Sequence, residues 1–244
     1  MIYPDNSLQK YIDDSTWWEK VEDKELRPGR LLWAFVAHVD VIPKSLVPTG
    51  RPEDDPTDHN KARYRITDLR IKAPIKKDSL PAAILPLYRN ECYIVQRSKK
   101  RPVLLLGDGG PKIPKNMRSS MKPGWQTNPT LLVAPYYGAR KKGQSKWYEP
   151  FVERIKRCEY PQYLWDILPI DSTTYSSILR LDHMQPIGKH HDSYELTEYC
   201  LKEDAVNLIQ EWLDWLFTGE MDAESSLYDI REALLNDPCG NVLE

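Results

Sequence analysis

The sequence is poor in cysteine and in long apolar runs, and each shortage argues against a class of protein. The four cysteines, at positions 92, 158, 200 and 239, lie far apart and form no Cys-x-x-Cys pair. Buried or free thiols in a reducing compartment are therefore favoured over a disulfide framework or a zinc knuckle. The longest apolar run, Leu31 to Ala37, is far shorter than the roughly 20 residues of a membrane span.

The N-terminal stretch is polar and acidic, with neither the basic nor the apolar region of a secretory signal. We therefore expect a cytoplasmic protein that does not contact a membrane. The familiar catalytic signatures are also missing: there is no Gly-x-Ser-x-Gly, no His-Glu-x-x-His and no kinase motif. Gly107-Asp108-Gly109-Gly110 is not followed by Gly-Lys-Ser/Thr, so it predicts a loop or turn and not a nucleotide cradle.

Metal ligation is also disfavoured. His190, His191 and Asp192 are adjacent and His183 is near them in sequence, but this spacing differs from that of a typical zinc site. We therefore expect neither a metal ion nor a cofactor.

The distribution of charge is the most informative property of the sequence. The net charge is only −2, yet residues 61–157 carry 23 Lys and Arg against 6 Asp and Glu, a net of +17. Residues 192–244 carry 2 against 14, a net of −12. A basic centre indicates an anionic partner, most simply nucleic acid, although a solvated basic face balancing acidic helices is the plain alternative. The acidic end would then either pack as a helical cap or cover the basic centre.

Hydrophobic periodicity predicts a mixture of short strands and a few helices. Strands are expected at 31–43, 62–71, 82–87, 91–96, 102–107, 130–137 and 176–187. Helices are expected at 7–22, from Tyr148 to Pro161, from Leu201 to Gly219 and from Ser226 to Pro238. Short strands at such spacing are typical of a barrel or a sandwich.

Four stretches, taken in order, resemble the strands of the MazF/PemK (Kid-like) toxin family. These stretches are Gly29-Arg30-Leu31-Leu32-Trp33, Lys100-Arg101-Pro102-Val103-Leu104-Leu105, Leu132-Val133-Ala134-Pro135 and Ser177-Ile178-Leu179-Arg180-Leu181-Asp182. The resemblance implies an α+β protein with a small SH3-like β-barrel core of the MazF/PemK/CcdB type, which forms dimers. Its domains would be an N-terminal helical extension (1–28), a barrel (29–190) with a long insertion at about 44–80, and an acidic C-terminal helical extension (191–244).

The resemblance also implies a reaction, namely metal-independent cleavage of single-stranded RNA by attack of the 2′-hydroxyl on the adjacent phosphate. Asp182 would be the base, Arg180 the acid or charge stabiliser, and Arg101 the contact to the scissile phosphate. Residues i and i+2 of a strand share a face, so Arg180 and Asp182 can meet one phosphate. An ordinary surface ion pair is the alternative for these two residues.

Substrate binding is predicted for basic and aromatic residues that alternate along the centre of the chain: Lys100, Tyr136, Tyr137, Arg140, Lys141 and Lys142. Solvent-exposed loops are the alternative for each basic run. The position two residues after Pro135 is Ser or Thr in many active family members and is Tyr137 here.

Two functions therefore stay open. One is a toxin-type endoribonuclease acting in growth arrest or phage defence, with an antitoxin protein and a second copy of the chain as candidate partners. The other is a non-catalytic module that binds nucleic acid or protein on the same barrel.

Overall fold

The computed structural model describes residues 3–12, 17–51, 57–72, 91–111, 113–117, 130–141, 144–170 and 176–236. Its contacts divide the chain into two units, Met1–Val36 with Lys100–Glu244, and Ala37–Lys99. The second unit covers a longer stretch of sequence than the insertion expected at about 44–80.

The strands of the first unit form one large sheet. They are β1 (Trp18–Lys20), β2 (Arg30–Ala37), β6 (Ser98–Gly107), β7 (Thr130–Gly138), β10 (Tyr163–Ile167), β11 (Ser176–Arg180), β12 (Gln185–Gly188) and β13 (Tyr194–Leu201). The order is β1-β13-β2-β6-β7-β11-β10, with β12 also paired to β7, and the pairs with described registers are antiparallel. The α+β class with mostly antiparallel strands is thus confirmed. Within the described residues the sheet does not close on itself, so the barrel core is not confirmed.

Four helices are described, and all belong to the first unit: α1 (Leu8–Tyr11), α2 (Glu149–Lys156), α3 (Glu203–Thr218) and α4 (Ser226–Asn236). The helix expected over 7–22 is wrong in its second part, because Trp18–Lys20 pairs with β13; among the described residues of this stretch, the helix is the single turn α1. The stretch just before α3, assigned from sequence to the helical extension, is the strand β13. None of the helices described has the length and apolarity to cross a lipid bilayer.

The second unit contains a three-stranded sheet in the order β4-β3-β5. Its strands are β3 (Lys44–Gly50), β4 (Arg63–Asp68) and β5 (Tyr93–Val95). β3 was missed because Pro48 and Gly50 made this stretch resemble a loop. The strand expected at 82–87 lies outside the described residues.

Both faces of the central strands are buried. Leu31 packs in a cluster with the helices, whereas Leu32, the next residue, packs in a second cluster on the opposite face. Val103 and Leu104 divide in the same way. Successive side chains of a strand point to opposite faces, so a run of apolar residues is what a doubly covered strand requires.

Helix α3 lies directly against the start of β2. Gly29 has a φ of +87°, and a Cβ atom placed there would lie 2.6 Å from Val206 Cγ2. Its N–H donates to Leu105 O and its carbonyl accepts from Leu201 N, which joins β6 and β13 at this turn. Glycine is therefore required both for the left-handed backbone and for the close helix approach.

A buried carboxyl group links the N-terminal segment to the sheet. Asp166 is fully buried and accepts hydrogen bonds from Tyr3 Oη at 3.1 Å, Tyr136 Oη at 3.1 Å and its neighbour Ile167 N at 2.7 Å. Burial raises the pKa of Asp166 to about 7, and these hydrogen bonds act against that rise.

We expect Gly29→Ala to lower the free energy of unfolding by about 2–4 kcal/mol, since it adds left-handed strain to a clash with α3. Gly219 is the matched control because it has a φ of +77° and no atom within 4 Å of a Cβ. Gly219→Ala should cost only the strain, about 1–2 kcal/mol. Chemical denaturation measures both, and equal losses would contradict the close packing at Gly29.

We expect Asp166→Asn to flatten the dependence of stability on pH. The folded-state pKa lies above the unfolded value, so this group's stabilisation is complete below about pH 4 and is lost as pH rises through about 7. Between pH 5 and 8 the wild type should lose on the order of 2–3 kcal/mol relative to the variant. Denaturation at both pH values tests this, with the exposed Asp68→Asn as the control that keeps the wild-type slope.

Candidate functional site

The registers of four adjacent strands place the predicted site residues side by side. Val103 on β6 faces Pro135 on β7, so Arg101 and Tyr137 are neighbours two residues further along. Tyr137 in turn faces Ile178 on β11, and Arg180 faces Tyr163 on β10. Because β6, β7, β11 and β10 are consecutive in the sheet, their side chains form one continuous surface.

Tyr137 lies between the two arginines. The Arg101 Cζ atom is 4.0 Å from the centre of the Tyr137 ring, and the Arg180 Cζ atom is 5.6 Å from it. The Arg180 Cζ atom also lies 4.9 Å from the centre of the Tyr163 ring and 5.9 Å from the centre of the Trp147 ring. Cation–π contacts of this kind hold guanidinium groups against aromatic surfaces.

Arg180 and Asp182 form a two-pronged ion pair. Arg180 Nε donates to Asp182 Oδ1 at 2.7 Å, and Nη2 donates to Oδ2 at 2.5 Å. The continuous strand expected over 176–187 is wrong here, since β11 ends at Arg180 and a 3₁₀ turn over Leu181–His183 follows. That turn, and not strand alternation, brings Asp182 to the guanidinium. Burial acts to lower the pKa of Arg180, but hydrogen bonding to Asp182 and its charge outweigh burial and raise it.

His183 is a member of the site that the sequence-based interpretation missed. It is buried, its Nδ1 lies 3.0 Å from Tyr137 Oη, and its Nε2 lies 2.7 Å from Arg180 Nη2. An arginine only donates, so Nε2 accepts and the imidazole is the neutral tautomer with its proton on Nδ1. The imidazole therefore donates to Tyr137 Oη, and Tyr137 accepts in this contact.

The signal for His183 was its distance from Arg180. His183 comes three positions after Arg180, and this i, i+3 spacing brings two side chains together in a 3₁₀ turn but not in a strand. Because His183 is near His190 and His191 in sequence, it was considered only as a metal ligand. No cluster of potential metal ligands occurs among the residues that the structure describes.

Of the other predicted binding residues, Tyr136 and Lys100 do not present their side chains to this surface. Tyr136 faces the opposite side of β7, is 2% exposed and donates a hydrogen bond to Asp166, so its side chain lies in the core and not on this surface. Lys100 is paired with Glu195 on β13, and its Nζ lies 5.9 Å from the centre of the Trp33 ring. Its side chain therefore points to the face of β6 opposite to that of Arg101.

Two of the remaining basic residues of the prediction lie in a pair of short strands that follows β7. Arg140 and Lys141 form the strand β8 (Arg140–Lys141), paired with β9 (Gln144–Ser145). Lys142 lies outside the described residues.

The balance of charge in the site favours an anion. Arg180 is neutralised by Asp182, whereas Arg101 has no acidic partner within the described part of the chain. The Arg101 Nε is buried and has no hydrogen-bond acceptor among the described residues. A phosphate oxygen would supply that acceptor, and the guanidinium fork suits two oxygens at once.

No protein-family model, curated protein or solved structure matches this chain.

We expect Arg101→Ala to weaken binding of a short single-stranded oligonucleotide and to lower the salt slope of the binding constant by about 1. Arg101→Lys should retain part of the affinity, because the charge remains while the fork and the stacking on Tyr137 are lost. Fluorescence anisotropy with an uncleavable 2′-O-methyl RNA at two salt concentrations measures both. Lys100→Ala is the matched control, and an equal loss there would point to general surface charge.

Proposed function

We propose that the chain is a metal-independent endoribonuclease of the MazF/PemK type that cleaves single-stranded RNA. One observation carries the proposal: Arg101, Arg180 and Asp182, which come from separate strands and a turn, lie on one surface around Tyr137. In this proposal the protein acts in the cytoplasm, in growth arrest or phage defence, and an antitoxin protein is its natural partner.

The reaction requires a base and groups that stabilise negative charge, and in this proposal Asp182, Arg101 and Arg180 supply them. The Asp182 carboxylate removes the proton from the ribose 2′-hydroxyl, whose oxygen attacks the adjacent phosphorus. Arg101 and Arg180 stabilise the negative charge that develops on the phosphoryl oxygens. The products are a 2′,3′-cyclic phosphate and a 5′-hydroxyl, so DNA, which lacks the 2′-hydroxyl, is inert.

A small SH3-like barrel is part of the proposal. β12 pairs with β7 and β13 pairs with β2, yet Ile187 of β12 and Tyr194 and Leu196 of β13 pack against the same apolar cluster. Such packing favours a sheet curled around that cluster. A dimer of such barrels is the assembly we propose.

A non-catalytic binding module is the second candidate, and one observation favours it. Both oxygens of Asp182 accept hydrogen bonds from Arg180. This ion pair fixes the guanidinium of Arg180, and a site that only holds a phosphate needs nothing more from Asp182.

The deciding experiment is incubation of the purified protein with a broad set of single-stranded RNAs in EDTA. The wild type should give cyclic-phosphate ends, and Asp182→Ala and Arg180→Ala should each lose about 10²–10⁴-fold in rate, the usual contribution of such groups. Asp192→Ala is the control, since Asp192 is exposed and its ion pair is with His191.

The outcomes separate the two candidates. Cleavage by the wild type and by Asp192→Ala, lost in the other two variants, supports the nuclease. A folded wild type that binds RNA and cuts none of the set supports the binding module.

A further inference from the structure

The proposed reaction requires a proton donor for the leaving 5′-oxygen, and Arg180 is poorly suited to that task. The pKa of a guanidinium group lies well above that of a phenol, so a guanidinium releases its proton much less readily. In addition, Arg180 Nε and Nη2 are both engaged by Asp182, and Nη2 also contacts His183. An arginine held in this way stabilises charge well and releases a proton badly.

We infer that Tyr137 is the general acid of the proposed reaction and that His183 is the positioning residue that orients it. This inference rests on the proposed function. Its basis is the contact between Tyr137 Oη and His183 Nδ1, in which the imidazole donates because Arg180 occupies the other nitrogen. The phenol oxygen uses a lone pair in that contact, which orients its own O–H bond away from the imidazole.

The surroundings of Tyr137 suit the phenolate that proton donation produces. The guanidinium of Arg101 lies against the ring, and the His183 N–H points at the oxygen. The guanidinium of Arg180 also lies against the ring, and its charge is no longer neutralised once Asp182 has taken the 2′-hydroxyl proton. Positive charge and a hydrogen-bond donor aimed at a site where negative charge develops lower the barrier to forming it. The tyrosine therefore has the support that a hydroxyl donor needs at this position.

The step balances in protons and bonds. The 2′-hydroxyl proton goes to Asp182 as the 2′-oxygen–phosphorus bond forms. The bond from phosphorus to the 5′-oxygen breaks, and that oxygen takes the proton of Tyr137. The phenolate is then protonated from solvent and Asp182 returns its proton to solvent, so no metal, water or oxidant is consumed.

A change of leaving group tests this role. In an RNA that the wild type cuts, the bridging 5′-oxygen at the cleaved bond is replaced by sulfur, and a thiolate leaves without needing a proton. Tyr137→Phe should be about 10²–10⁴-fold slower than wild type on the oxygen substrate. On the sulfur substrate it should approach the wild-type rate, whereas Asp182→Ala should stay slow on both.

Two further variants test whether the effect is specific to the Tyr137 hydroxyl and to the hydrogen bond from His183. Tyr136→Phe removes the hydroxyl of the neighbouring tyrosine, which bonds to Asp166, and should leave the ratio of the two rates unchanged. His183→Asn keeps an N–H donor near the position of Nδ1, so it should recover part of the activity lost in His183→Ala. Thermal unfolding of each variant checks that the fold is retained.

The results distinguish this inference from the proposed function. If the wild type cuts RNA and Tyr137→Phe matches it, or is equally slow on both leaving groups, Tyr137 is not the acid although the nuclease stands. If a folded wild type cuts no RNA, the inference and the proposed function both fail.

Discussion

Burial of both faces of the central strands is the constraint on which the site depends. Apolar side chains at Leu31 and Leu32, and again at Val103 and Leu104, pack into two separate clusters. A one-residue slip of either strand would exchange the two faces, so the register is strongly specified. Where the apolar pattern ends, the same register places Arg101 beside Tyr137. The geometry of the polar groups is thus set by the apolar ones.

The sequence was sufficient to predict the elements whose period is long and clear. The strands β6 and β7 and the helix α3 occur where the apolar pattern indicated them. The strand expected at 31–43 occurs only in its first half, since β2 ends at Ala37. Shorter elements were harder, because tertiary pairing decides them. Trp18–Lys20 forms β1 by pairing with β13, which is distant in sequence. No local sequence pattern indicates that pairing. Whether the sheet closes depends on curvature that a linear pattern does not encode.

For the site, residue type was predictable but orientation was not. Tyr136 and Tyr137 are adjacent and chemically identical, yet one lies in the core on Asp166 and the other lies between two arginines. Alternation along β7 shows that the two must face opposite ways, but only the packing decides which faces outward. His183 shows the same limit, because its contact with Arg180 arises from a turn that interrupts the apparent strand.

The link between helix α3 and the turn before β10 has a genetic consequence. The indole N–H of Trp212 donates to Pro161 O at 2.9 Å, two residues before the tyrosine that supports Arg180. Helix α3 also covers the apolar face beneath β2. A nonsense mutation after the codon for Leu201 would therefore remove α3 and expose the apolar core residues that it covers. Alleles shortened in this way should therefore behave as null alleles.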